Sequence, residues 1–241
     1  MSIIFDEENH VRKMLKNGIQ TSNTKFEIQL LANYYRTITD DDNEIETNLH
    51  SFCKKYIQNY NRIKFYKIID EKVKKSKKMK LKKSTEIKIT KKELEIIQSE
   101  ENLKCQKLMF VYLVLAKYYM SNNCTEKYYV GCKDNDIFNL CDMYVRKDEK
   151  MELMHYLTKR GYITPTLSMS SIINYVHEDS ESVITLIPND DMIYYYEMYL
   201  GYSFVKCEIC NKLVKKTNNR IKYCKECAKN IKNKVIQKTK I

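Results

Sequence analysis

The sequence predicts a mostly α-helical fold, α with a small β wing. Three observations predict it. Only 4 Gly and 2 Pro occur in 241 residues, too few for a loop-rich sandwich or barrel. Apolar residues recur at helical spacing through the first 70 residues and again from 91 to 157. Two short β-type runs then follow one helix closely.

Residues 1–85 read as a helical region. Thr24 and Glu27 form a capping box ahead of Phe26, Leu30, Leu31, Tyr34 and Tyr35. Thr39 followed by Asp40, Asp41 and Asp42 marks a second helix start, with acids where the macrodipole favours them. Leu49, Phe52, Cys53, Tyr56, Ile57 and Tyr60 form an amphipathic face, which Phe65, Ile68, Ile69 and Val73 carry onward. The stretch 72–90 is lysine-rich and thin in apolar residues, the composition of a linker. The composition shift sets a domain boundary near residue 85.

Residues 86–200 read as a winged-helix-like domain. Thr90 and Glu93 make a capping box for a helix bearing Leu94, Ile96 and Ile97. A buried helix spans about Lys104–Met120; its apolar core carries Lys117 and is too short to span a bilayer. Tyr128–Gly131 reads as a strand, and Asp134 or Asn135 caps a helix containing Ile137, Phe138, Leu140 and Cys141. Past a turn at Tyr144–Val145, a helix runs from Lys147 to Arg160, and Gly161 ends it in a left-handed cap. Strands follow at 162–167, 171–177 and 182–187, then a short aromatic helix at 190–199. Helix, strand, helix, turn, helix and hairpin is the order of a winged helix-turn-helix, whose second paired helix enters the major groove. Lys147 and Lys150 on that helix are candidate contacts, although Asp148, Glu149 and Glu152 lie among them.

Residues 201–241 carry the most specific motif. Cys207 and Cys210 form one Cys-x-x-Cys pair, and Cys224 and Cys227 form another thirteen residues on. Two such knuckles complete a tetrahedral four-sulfur shell, the pattern of one structural zinc ion in a zinc ribbon or treble clef. Asn211 suits a left-handed knuckle position, and the chain past Cys227 is helix-compatible. Metal binding supplies on the order of 10 kcal/mol to so short a segment. A closed four-sulfur site has no open coordination position, so zinc does no catalysis here. The other cysteines are isolated and read as small buried hydrophobes.

The formal net charge is +12, unevenly spread. Residues 51–100 hold 16 Lys and Arg against 6 Asp and Glu, and residues 201–241 hold 12 against 2. Residues 1–50 and 101–200 are net acidic. Clustered cations bind phosphates by releasing counterions. Lys212, Lys215, Lys216, Arg220 and Lys222 between the cysteine pairs, with Lys229, Lys232 and Lys234 beyond them, are therefore the expected nucleic-acid contacts, with the 72–83 lysine run in support. The first ten residues are acidic and lack a long apolar run, so no secretory signal or membrane association is expected, and the expected location is cytoplasmic. No catalytic motif is visible, so no enzymatic activity is expected.

The ending KCEICNKLVKKTNNRIKYCKECAKNIK, over about 205–232, resembles the zinc-ribbon tails of winged-helix-like accessory proteins of phages and integrated mobile elements in low-GC Gram-positive bacteria. The resemblance implies the four cysteines as ligands and a mobile-element setting, and no particular activity. The expected function is a non-enzymatic, zinc-containing, nucleic-acid-binding accessory or regulatory protein, with DNA ahead of RNA as partner. The alternative is a protein-interaction module in which acidic and Tyr-rich surfaces engage a host or phage protein and the zinc only staples the tail.

Overall fold

The computed structural model describes residues 3–123, 127–167, 170–210, 212–216, 221–224 and 227–231. Between Ser84 and Thr85 the chain divides into two compact units.

The first unit is a bundle of α1 (Glu7–Asn17), α2 (Thr24–Arg36), α3 (Asp42–Tyr56) and α4 (Arg62–Ser76). Each helix is capped by an Asp or Asn side chain that accepts a first-turn N–H: Asp6, Asn23, Asp41 and Asn61. Helix α2 packs against the other three. Its Ile28, Leu31 and Ala32 are fully buried with Val11 and Met14 of α1, Ile45, Leu49 and Cys53 of α3, and Ile69 of α4.

Two local expectations change here. The cap of α2 is Asn23, not Thr24. Glu27 is buried instead, accepting the Gln20 N–H at 2.8 Å and meeting His10 Nε2 at 3.1 Å. The lysine-rich stretch is also no continuous linker. Helix α4 carries it to Ser76, and Lys82 then pairs by its backbone N–H and C=O with Glu7, while Leu81 packs on the bundle core.

The second unit is organised around α6 (Leu103–Asn123), in which Leu108 to Ala116 are buried on every side. Around α6 lie β1 (Ile87–Thr90), α5 (Lys91–Gln98), β2 (Tyr129–Val130), α7 (Asp134–Leu140), α8 (Lys147–Lys159), β3 (Ile163–Pro165), β4 (Ser171–Ile173) and α9 (Ile193–Tyr199), with β5 (Ser182–Leu186) against β1. The Thr90–Glu93 capping box closes as expected. Strand β1, read from sequence as linker, pairs antiparallel with β5 in the register Ile87 to Leu186 and Ile89 to Ile184. The third β-run therefore belongs to this separate ribbon. The other sheet is antiparallel in the order β2-β4-β3, and Pro165 sits on its edge strand, where a missing N–H costs no ladder bond. Gly161 ends α8 at φ +77°, with its N–H on Thr158 O.

Charge is buried in this unit. Lys117 Nζ donates to the Glu93 carboxylate and to Lys88 O, each at 2.8 Å. Glu93 also accepts the Thr90 N–H at 2.8 Å and the His177 N–H at 2.9 Å. One fully buried carboxylate thus ties together α5, α6, β1 and the segment after β4. Among the described residues, no helix is long and apolar enough to cross a membrane.

Candidate metal centre

Strands β6 (Phe204–Lys206) and β7 (Leu213–Lys215) form an antiparallel hairpin with Val205 opposite Val214. The first cysteine pair sits at its tip. The Cys207 N–H donates to Lys212 O at 2.9 Å and closes the hairpin. The Glu208 N–H donates to Lys222 O at 3.1 Å and ties the tip to the segment bringing the second pair. Residues 227–231 are helical, which places Cys227 in a first helical turn. Its N–H donates to Cys224 Sγ at 3.4 Å, and the Ala228 N–H donates to Cys224 O at 2.9 Å.

The four Sγ atoms of Cys207, Cys210, Cys224 and Cys227 lie within 4.8 Å of one another. A tetrahedral shell with metal–sulfur bonds of about 2.3 Å requires sulfur–sulfur separations of about 3.8 Å. Cys210 and Cys224 stand 3.7 Å apart, near that value and far beyond the roughly 2.05 Å of a disulfide. The thiols are unequal. Backbone N–H groups, above all that of Cys224, hold the buried Cys207 thiol down at about 6 against the cost of burial. Sharing protons with Cys224 and Cys210 pushes Cys227 up to about 12. The cluster can hold a metal ion, which replaces those shared protons.

The hairpin belongs to the second unit and is held against α9. Phe204 packs on Tyr194 of α9 with ring centroids 4.9 Å apart; the Lys216 N–H donates to Ser203 O at 2.8 Å and closes the hairpin's open end. Lys215 Nζ lies 2.9 Å from Glu197 Oε2 and 3.9 Å from the centre of the Tyr202 ring. Glu197, buried on α9, also binds Lys107 of α6. Burial raises the Glu197 pKa, but its bonds to Lys107 and Lys215 outweigh that and leave it below the ordinary carboxylate value.

The expected nucleic-acid contacts divide accordingly. Lys206, Lys212, Lys216 and Lys229 are exposed, Lys216 at the open end of the hairpin, and exposed Lys222 lies 3.6 Å from Glu208. Lys215 faces inward to Glu197. Asn211, Arg220, Lys232 and Lys234 lie outside the described residues. On α8, Lys147 is exposed, whereas Lys150 donates to Asn135 Oδ1 at 2.8 Å beside the Phe138 ring.

The isolated cysteines behave differently from the four. Burial raises Cys53 to about 12 and Cys105 to about 11, and pushes Cys141 higher still. Cys132 is half-buried, and Cys124 lies outside the described residues. Sequence reasoning missed Glu197 as the anchor of the module. It treated DDMIYYYEMY as an aromatic docking helix, and no spacing rule connects Glu197 with Lys107, 90 residues away. No protein-family model, curated protein or solved structure matches the chain.

Proposed function

We propose that the chain is a non-enzymatic nucleic-acid-binding protein whose main phosphate contacts sit on a zinc-held C-terminal module. The observation that carries this reading is exposed Lys206, Lys212 and Lys229 in the segments that bring four cysteine sulfurs together, with exposed Lys216 at the open end of the same hairpin. Four thiolates at tetrahedral spacing suit zinc, a borderline-soft ion without geometric preference of its own. Such a staple fixes where the lysines stand, and cations fixed on a small platform release counterions from a phosphate backbone together.

The order α6-β2-α7-α8-β3-β4, with its sheet order β2-β4-β3, supports a winged-helix reading of the second unit. Helix α8 is then the groove-facing helix; Lys150 on it and Arg160 at its C-cap are engaged within the unit, and acids share its surface with exposed Lys147 and Lys159. Arg160 pairs with Glu100 at 3.2 Å, Lys150 with Asn135, and Glu149 takes Lys104. Asp148 and Glu152 are exposed on the same helix. Phosphate contact is therefore assigned first to the zinc module, with Lys147 as an auxiliary. A mobile-element setting rests on the resemblance of the tail alone.

A protein-binding role for α8 is the second reading. It is favoured by Tyr144 and Leu167, which are almost wholly solvent-exposed, and by exposed Met151 between the two acids. The two readings separate in one experiment. Purified chain is assayed for zinc content and for binding to labelled duplex DNA, single-stranded DNA and RNA. One zinc per chain, and binding that weakens when Lys212, Lys216 and Lys229 become Ala, is the expected result. Binding that instead depends on Tyr144 and Met151, and persists in high salt with a protein partner, favours the second reading.

A further inference from the structure

The lysine run 72–83 is the conspicuous cationic feature of the helical unit, yet the fold neutralises much of it. Lys72 and Lys75 pair with Glu71 at 3.6 and 2.7 Å, Lys74 with Asp70 at 2.8 Å, and Lys77 with Asp42 at 2.6 Å. Lys78 and Lys80 stay exposed without an ion pair among the described residues, and a second uncompensated cluster lies at the opposite end of α4. Arg62, Lys64 and Lys67 are exposed, and none has an ion pair among the described residues. Two large side chains stand among them in solvent: Ile63 is 86% exposed and Tyr66 is 56% exposed. Ile63, Tyr66 and Lys67 share a helix face, since residues three and four apart are neighbours. The core of the bundle takes Ile69 and Val73 from the other side of α4 and leaves these residues out.

Beside this face is a hollow of about 530 Å³ lined by Thr47, His50, Ser51, Lys54, Tyr60 and Arg62. His50 is held in place by Tyr60 through Nδ1 and by Glu46 through Nε2. The Thr47 and Ser51 hydroxyls donate to Asn43 O and Thr47 O and the Tyr60 hydroxyl is bonded to His50, so the groups that this concavity offers a ligand are two exposed cations, Lys54 and Arg62. Two cations at one concavity suit a phosphodiester, whose charge they meet.

We propose that this edge of the helical unit is a second nucleic-acid contact, specific for single strands. Tyr66 stacks on an unpaired base, Ile63 packs beside it, and Arg62, Lys64 and Lys67 pair with successive phosphates, one of which is seated in the hollow with Lys54. The exposed ring selects the strand type. Only an unstacked base offers its face to Tyr66, whereas a duplex offers this surface phosphates alone. The contact is independent of the metal module and goes beyond the reading given above.

The test uses the full zinc-loaded chain with labelled oligothymidylate, oligouridylate and duplex DNA, each titrated against salt. Tyr66→Ala is expected to weaken single-strand binding about 10-fold without changing the salt slope or duplex binding, and Tyr66→Phe to restore it. Arg62→Ala/Lys64→Ala/Lys67→Ala is expected to lower the single-strand salt slope by about two units. Lys74→Ala/Lys75→Ala, which removes only paired lysines, is expected to leave it unchanged. Wild-type affinity and slope in the Tyr66 and triple variants, in a chain that still binds through its zinc module, would overturn this contact and leave the proposed function standing. Equal losses on single strand and duplex with Tyr66→Ala overturn the stacking role. Binding to phosphatidylserine vesicles but to no oligonucleotide overturns both proposals.

Discussion

Lys117→Met probes the buried network that organises the second unit. The substitution keeps most of the side-chain volume and removes the ammonium from a helix interior. Lys117 is 7% exposed, and its partner Glu93 is fully buried. After the change, Glu93 keeps the Thr90 and His177 N–H groups but loses its only cationic donor among the described residues. Leaving one member of a buried pair without its partner costs about 3–5 kcal/mol. The two units need not unfold together, so a single global melting curve would blur the effect. Hydrogen exchange read peptide by peptide separates them. Amides of β1, α5 and α6 should exchange at least about 100-fold faster, and those of α2 and α3 at the wild-type rate. In the double variant Lys117→Met/Glu93→Gln the charge is gone as well. Its loss should be at least about 2 kcal/mol smaller than the sum of the single losses. A single variant in which exchange rises less than about 5-fold would refute the claim that this pair holds α5, α6 and β1 together.

Other consequences are local. Glu197→Gln removes both ion pairs at the base of the metal hairpin, worth about 1.5–3 kcal/mol; exchange at 204–216 should rise about 10-fold or more while zinc content stays at one per chain. Gly18→Ala forces a Cβ to within 2.7 Å of Tyr56 Cδ1 at φ +82°, and the Tyr56 hydroxyl is bonded to Leu15 O. The first unit should lose about 1–3 kcal/mol, seen as a lower midpoint in α1 exchange or proteolysis. Burial raises the Glu100 pKa, but the hydrogen bonds from Tyr156, Tyr162 and Arg160 outweigh it and set the carboxyl below its ordinary value. Its contribution is therefore present above the unfolded value of about 4.3 and lost as pH falls through the lowered folded value. An acid titration of the second unit should show this component, and Glu100→Gln should flatten it.

Features set by a few neighbouring residues were legible in the sequence. The Thr90–Glu93 capping box closes because both its bonds are made within one turn. Gly161 ends α8 because only a residue tolerant of positive φ fits there. The four cysteines converge because each pair already shares a knuckle. Where a distant partner competed, local reading failed. Thr24 and Glu27 have the capping-box pattern, but Glu27 is taken by His10 and Gln20 from the preceding segment, and Asn23 caps instead. The run Ile87-Lys88-Ile89-Thr90 alternates as a strand should, yet the lysines before it drew it into the linker; its partner β5 begins 92 residues after Thr90. Lys215 reads as a free cation until Glu197 is seen beneath it. The cationic face at Arg62–Lys67 was hidden for the opposite reason, because the longer run at 72–83 looks stronger until its ion pairs are drawn.

The proposed function is that zinc-held lysines bind nucleic acid. Its most direct test compares the zinc-loaded wild type with Cys224→Ser/Cys227→Ser, titrating each with salt on labelled duplex DNA. Lys206, Lys212, Lys216 and Lys229 give a predicted wild-type slope steeper by about three to four units than that of the variant, which loses the platform and with it most of its affinity. Equal slopes and affinities in the two proteins, with the variant zinc-free, would contradict the account and send the search to a protein partner.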